Sequence, residues 1–382
     1  MDLLKKHFLS IFLVFILVFF FASKVFWLSE PNYLIGDEKY YIEAAQKFKQ
    51  GNFEANPEHP PLGKILILAG INIFGENIAG TRIPALIFGT ASLLLLFLLS
   101  KELFNSKVAI LAVLLLSFDP LWAVFSRIAM LDIFVSTFII SSVFLLWRYL
   151  KNPKTSTAIL LGTSFGLAVS VKWNAVFLLG PILIFLALQP DIYPKLKPKT
   201  LNNFLIFAIA ILSYTLIYLF FLNLSFKDFI MVQFDMTRIH LSGIWPENKF
   251  TTPAWQWLFS KPLFLEAKDP NSALTSAGNP LVFWLWPATF LILAKEAIKK
   301  LFQKRTELFF VLLIFLFLYL PWFFQIRPTF TFYILPTVPF ICIGTAYLLG
   351  KFWEKRNWGK AGAISYILAS LGLFLAYFLR SF

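Results

Sequence analysis

The 382-residue chain holds a single cysteine, Cys342, and only three histidines, His7, His59 and His240. One cysteine excludes an intramolecular disulfide, and three scattered histidines exclude a His-rich metal centre. Charge is scarce too: Asp, Glu, Lys and Arg make up 14% of the chain, against about a quarter in an ordinary soluble domain. Hydrophobic residues reach 59% and aromatics alone 19%. That composition reads as an all-α polytopic membrane protein, a single integral-membrane domain over 1–382 with no soluble domain appended at either end.

Acidic residues are the scarcer charge, 20 against 34 Lys and Arg, for a net +14. In a soluble domain this would suggest nucleic acid; in a membrane protein it reports sidedness. Apolar stretches fall at about 8–28, 83–100, 108–118, 133–149, 157–171, 174–188, 203–222, 281–297, 308–325, 332–349 and 361–379, giving about 11 candidate transmembrane helices. The first follows Lys5 and Lys6, exceeds a signal peptide's apolar core and lacks a clear cleavage site, so it reads as a retained span. With the N-terminus cytoplasmic, nearly all of the positive excess falls on inner segments, among them Lys101, Lys107, Arg148, Lys151, Lys195, Lys299 and Lys355, as the positive-inside rule requires. Two long loops, about 30–81 and 224–280, then lie on the outer face. Nucleic acid is not expected as a partner; membrane lipids are.

The first outer loop opens with Gly36-Asp37-Glu38-Lys39-Tyr40-Tyr41. Tyr41, Ala44, Ala45 and Phe48 follow at helical spacing until Gly51, which predicts a short amphipathic helix along the membrane surface. On that pattern alone Asp37 is a helix N-cap, with Glu38 in the favourable first turn. Next, His59-Pro60-Pro61-Leu62-Gly63-Lys64 leads into an apolar run too short to span, with Lys64 expected to snorkel toward the phosphate level. His59 has no second histidine nearby and fits a hydrogen-bonding role better than a metal one.

Further on, Arg127 and Asp132 lie five apart in an outer turn, a spacing that would not pair them on one helix. Asp132 can cap the following helix, whereas Arg127 near hydrocarbon needs a carboxylate or a bound anion. Lys172, in Val171-Lys172-Trp173-Asn174, and Arg327, held by Pro328, fall on the same side. For each cation a structural ion pair is as good an account as a ligand contact. Taken together, carboxylates and cations on one outer surface suit sugar transfer from a polyprenyl phosphate. Cations stabilise the departing phosphate, a carboxylate takes the proton of an incoming hydroxyl, and the transition state has oxocarbenium character.

The motifs "GDEKYY", "HPPLGK", "RIAMLD", "VKWN" and "IRPTFTFYILP", with "HLSGIWPENKFTTPAWQWLF" and "SAGNPLVFW" in the second loop, resemble in order and spacing the protein O-mannosyltransferase family of polyprenyl-phosphate-sugar-dependent glycosyltransferases. The resemblance runs from about 30 to 345. It implies the GT-C fold, an inverting mannosyltransferase, Asp37 as base toward a Ser or Thr hydroxyl with Glu38 beside it, and Arg127 and Asp132 at the lipid phosphate. His59, Lys64, Lys172 and Arg327 complete the expected substrate-binding set. A prokaryotic plasma membrane, with the site on the outer face, is the expected location. No cofactor is implied, although Asp37, Glu38 and Asp132 offer oxygen ligands for a divalent cation. The second loop is too short for the lumenal β-trefoil domain of eukaryotic members, and the late motif lacks the His many members carry. A lipid or glycan acceptor, as in a lipid A aminoarabinose transferase, therefore stands as an alternative. So does a transporter or flippase of lipid-linked sugars, which would be expected to show inverted repeats that are absent here.

Overall fold

The computed structural model describes residues 2–52, 55–193, 200–242, 251–259, 264–265, 274–275, 278–303, 305–325, 327–355 and 357–378. Each of the eleven apolar stretches is helical there. Helix α1 (Asp2–Val25) leads into a loop bearing α2 (Glu38–Lys49) and α3 (Leu62–Phe74), then α4 (Ile78–Leu103) and α5 (Ser106–Ser117). A short α6 (Pro120–Phe125) precedes α7 (Leu131–Lys151), α8 (Thr155–Val171), α9 (Leu179–Ile192) and α10 (Thr200–Leu216). The second loop carries α11 (Phe226–Leu241) and ends at α12 (Pro280–Phe283), followed by α13 (Trp286–Leu301), α14 (Glu307–Tyr319), α15 (Val338–Trp353) and α16 (Asn357–Phe378). A two-residue antiparallel pairing joins Phe264–Leu265 to Leu274–Thr275. Among the described residues, eight helical segments are long and apolar enough to span. The stretches at 108–118 and 157–171 form helices of 12 and 17 residues, and the one at 281–297 breaks at Trp284 into α12 and α13. The Lys195, Lys197 and Lys199 run and much of the second loop lie outside the described residues.

Packing follows membrane rules, in which close backbone approach replaces a hydrophobic drive. Gly162 and Gly166, four apart on α8, face α10, and a Cβ on Gly162 would stand 2.5 Å from the Ile206 carbonyl oxygen. This contact sets the line of α8, whose last residue is followed by Lys172. The outward sides of α1 and α10 expose Phe15, Phe19, Phe204 and Ile211, the surface that lipid solvates.

Charged ends segregate. At one end of the bundle Arg148 meets Glu102 at 3.4 Å, Lys107 meets Glu354 at 3.6 Å, and Lys351 meets Glu296 at 2.7 Å, all residues of the basic segments. Arg82 and Glu102 are twenty residues apart on α4, about 30 Å at 1.5 Å per residue, so the two outer-loop elements α2 and α3, which pack near the start of α4, occupy the opposite end. The second loop re-enters there through Asn279, whose backbone N–H donates to Asp119 at 2.8 Å and whose side chain donates to the Phe118 and Ser370 carbonyls at 2.8 and 2.9 Å.

Replacing Gly166 by Val should lower stability by about 1–3 kcal/mol, the usual cost of overpacking. A thermal midpoint in detergent unchanged from the parent would show that α8 and α10 do not depend on this approach.

Candidate active site

The first surprise is the partner of Glu38. Its side chain is fully buried, and Arg82 binds both oxygens, Nε to Oε1 at 2.9 Å and Nη2 to Oε2 at 2.8 Å. The Ile35 N–H donates to Oε2 at 2.8 Å and the Ala129 N–H to Oε1 at 2.7 Å. The same guanidinium donates to the carbonyls of Leu28, Glu30, Pro31 and Tyr33 at 2.9–3.2 Å. One ion pair therefore folds residues 28–38 around itself and ties them to the turn ahead of α7. Glu38, expected beside the reacting atoms, has no face left for them; its oxygens are filled by the scaffold.

Asp37 differs from its neighbour. It stands at the N-cap position of α2, yet its side chain makes no capping hydrogen bond, so the cap anticipated from the pattern is not formed by it. Among the described residues the carboxylate has no hydrogen bond or ion pair, and it is only partly exposed. Burial raises its pKa; Lys172 and Lys39 pull it back down, while Asp132 and Glu58 push it up. The helix itself matches expectation, with Tyr41, Ala44, Ala45 and Phe48 buried.

Behind Asp37 lies a second charge pair. Lys172, at the joint between α8 and a following 3₁₀ turn, donates to Asp132 Oδ1 at 2.9 Å, and both are buried. Its ammonium lies 4.8 Å from the Tyr333 ring centroid. Asp132 sits in the first turn of α7 without capping it, and its other oxygen, Oδ2, is buried with no hydrogen-bond partner. Arg127 precedes α7, so the five-residue spacing reflects a turn and not one helix face. Its Nη2 donates to the Glu30 carbonyl.

Lys64 corrects a further expectation. It does not snorkel outward: it is buried and donates to the Asn56 and His59 carbonyls at 2.6 and 2.8 Å, closing the loop ahead of α3. Gly63 beside it lets α3 approach α7, since a Cβ there would lie 2.5 Å from the Leu131 side chain. His59 is held well below the ordinary imidazole pKa by burial and by Lys172, Lys64 and Arg327, so it is neutral. The Arg327 Nη1 meets His240 Nδ1 at 2.9 Å, and the His240 Nε2 meets the Glu58 carbonyl at 2.9 Å.

A cavity of about 960 Å³ opens beside His59 and Lys64 and runs along α11, walled by Phe48, Tyr218, Met231 and Met236. A second of about 440 Å³ lies against Arg327, Trp255 and Trp322. All eight residues singled out from sequence therefore lie in or beside the two loops at one end of the bundle. Arg82, His240, Tyr333 and Glu58 were not among them. Arg82 carried a usable signal, since an Arg at the mouth of an apolar helix is costly unless paired; His240 and Tyr333 are placed by tertiary structure and carried none. Among the described residues no group of three His, Cys, Asp or Glu is placed to hold a metal.

Residues 58–220 match a family described as dolichyl-phosphate-mannose-protein mannosyltransferase. A polyprenol-phosphate-mannose–protein mannosyltransferase of Corynebacterium glutamicum is 25% identical, with 89% of this chain and 83% of that protein covered. The enzyme of that name in Mycobacterium tuberculosis is 31% identical over 159 residues, 38% of this chain and 30% of its own. Among solved structures, the S. cerevisiae Pmt1-Pmt2 protein O-mannosyltransferase complex bound to the sugar donor superposes with a TM-score of 0.85 at 12% identity, covering 98% of this chain and 90% of that one. ArnT of Cupriavidus metallidurans bound to undecaprenyl phosphate gives 0.64 at 18%, covering 96% and 64%. At such identities the structural likeness establishes a shared fold.

Removing one partner of a buried pair strands the other, typically at about 3–5 kcal/mol. Arg82→Met should therefore unfold the first loop and lower the thermal midpoint sharply, and the double variant with Glu38→Gln should recover part of the loss. A double variant no better than the single would mean the two side chains do not act as a pair.

Proposed function

We propose that the chain is a GT-C glycosyltransferase of the O-mannosyltransferase-like family and moves a mannosyl group from a polyprenyl-phosphate carrier to the hydroxyl of a protein Ser or Thr, a reading its similarities support. The observation that carries this reading is Asp37: a carboxylate outside the spanning helices, without an ion pair among the described residues, beside a buried cation and next to a second carboxylate that is spoken for. In the proposed step the acceptor oxygen attacks the anomeric carbon as the bond from that carbon to the phosphate oxygen breaks. Asp37 takes the hydroxyl proton. The carrier phosphate leaves with the negative charge, offset by Arg127, Lys172 and Arg327, and a single displacement inverts the anomeric configuration. Glu38 acts as a positioning residue through Arg82, and the positive-inside rule supports a cytoplasmic basic end with the reaction on the outer face. The names of the Corynebacterium and Mycobacterium relatives support mannose and protein as the pair of substrates.

Asp37→Asn should reduce transfer by at least about 100-fold, the lower bound for a general base, while thermal stability stays near the parent's. Near-parental activity would remove Asp37 from the chemistry. The pH dependence has a definite sign: a base must be deprotonated, and burial raises the Asp37 pKa in the free chain, so the acid limb of kcat/KM should lie above the ordinary carboxylate range. An acid limb below pH 4 would contradict this. Because the step requires no divalent ion, transfer should persist in chelator; loss that Mg²⁺ or Mn²⁺ restores would point to an oxygen-ligated metal instead.

A further inference from the structure

His240 stands apart from the residues that touch the reacting atoms, yet it joins three parts of the chain. It is the penultimate residue of α11, its ring is 5.7 Å from Trp173 and 6.3 Å from His59, and its two nitrogens contact different loops. The Glu58 carbonyl oxygen can only accept, so Nε2, 2.9 Å away, carries the hydrogen. A guanidinium can only donate, so Nδ1, 2.9 Å from Arg327 Nη1, carries the lone pair. The two contacts together fix both the tautomer and the charge: an imidazolium has no lone pair to offer, and its Nδ1–H would point at a cation.

We infer that His240 is a positioning residue for the transfer reaction, a neutral bridge that sets where Arg327 stands relative to Asp37 and Lys172. The inference rests on the reading that Arg327 meets the carrier phosphate. Arg327 comes from the segment between α14 and α15, more than eighty residues beyond α11 in the chain. Of the described groups that face His240, Arg327 and Lys172 are cationic and oppose its protonation, Glu58 favours it, His59 is neutral and Trp173 is uncharged. Burial and Arg327 together lower its pKa. The bridge is therefore intact at neutral pH and fails as the pH falls below the ordinary imidazole range, with weaker donor binding as the consequence.

The test is donor KM and kcat against pH for the purified full chain, with a polyprenyl-phosphate mannose donor and a Ser/Thr peptide, in four proteins. His240→Gln can still donate to Glu58 but offers Arg327 no acceptor in place of Nδ1. Its donor KM should rise about tenfold, the equivalent of about 1.4 kcal/mol, with kcat lowered as well because Arg327 also offsets the departing charge. His240→Asn places an amide oxygen where Nδ1 stands and does not titrate. Its KM should stay near the parent's at neutral pH and remain flat into acid, where the parent's rises. Arg327→Gln should raise KM at every pH. If Arg327→Gln raises KM while His240→Gln leaves it unchanged, the bridge is overturned and the reading of Arg327 stands. If Arg327→Gln has no effect, both are overturned. Should His240→Gln fail to fold, His240→Asn decides alone: a KM that climbs in acid as the parent's does overturns the inference.

Discussion

Everything at the outer-loop end of the bundle depends on one buried ion pair, Arg82 with Glu38. A loop entering a membrane protein's interior brings backbone carbonyls that water no longer solvates, and residues 28–33 bring four to a single guanidinium. The carboxylate on the other side receives two backbone N–H groups, one from its own loop and one from the turn before α7. Such a pair contributes little net stability over an apolar substitute of the same shape, because both charges lose their hydration. What it supplies is register. It fixes the residue before Glu38, and that residue is Asp37.

The consequence is a division of labour between adjacent carboxylates. Glu38 is saturated with donors and pinned, whereas half-buried Asp37 makes no hydrogen bond or ion pair among the described residues and has its pKa raised by burial. Lys172 shows the same economy. Its charge is balanced by one oxygen of Asp132, leaving the other buried oxygen without a partner, so the pair is not electrostatically closed. Tyr333 and Phe332 roof the ammonium at 4.8 and 5.7 Å, which keeps water from screening it. Under the proposed reaction, such a site would meet a substrate that carries both a proton to lose and an anion to release.

Much of this was legible in the sequence. Hydropathy located the helical stretches, because lipid imposes a length and an apolar composition that no soluble context imitates. The α2 pattern of Tyr41, Ala44, Ala45 and Phe48 was readable because helix periodicity alone decides it. That these charged residues gather at one end of the bundle was readable, since charges at apolar helix ends are rare enough to be informative. Their individual contacts were not. Glu38 meets Arg82 and two backbone N–H groups, and Lys64 donates to the Asn56 and His59 carbonyls while still bordering the cavity beside α11, contacts that spacing cannot reveal. Arg82, at the first turn of a long apolar helix, was the readable clue to the first of these.

Cavities lie beside His59 and beside Arg327, and with Asp37 as the proposed base the account implies a single in-line displacement. The most direct measurement is the anomeric configuration of the product. The purified chain is incubated with a β-linked polyprenyl-phosphate mannose and a Ser/Thr peptide, and the glycopeptide is read by NMR. An α-linked mannosyl hydroxyl side chain is the predicted result. A β-linked product, which would mean retention of configuration, or no glycopeptide at all, would contradict the account.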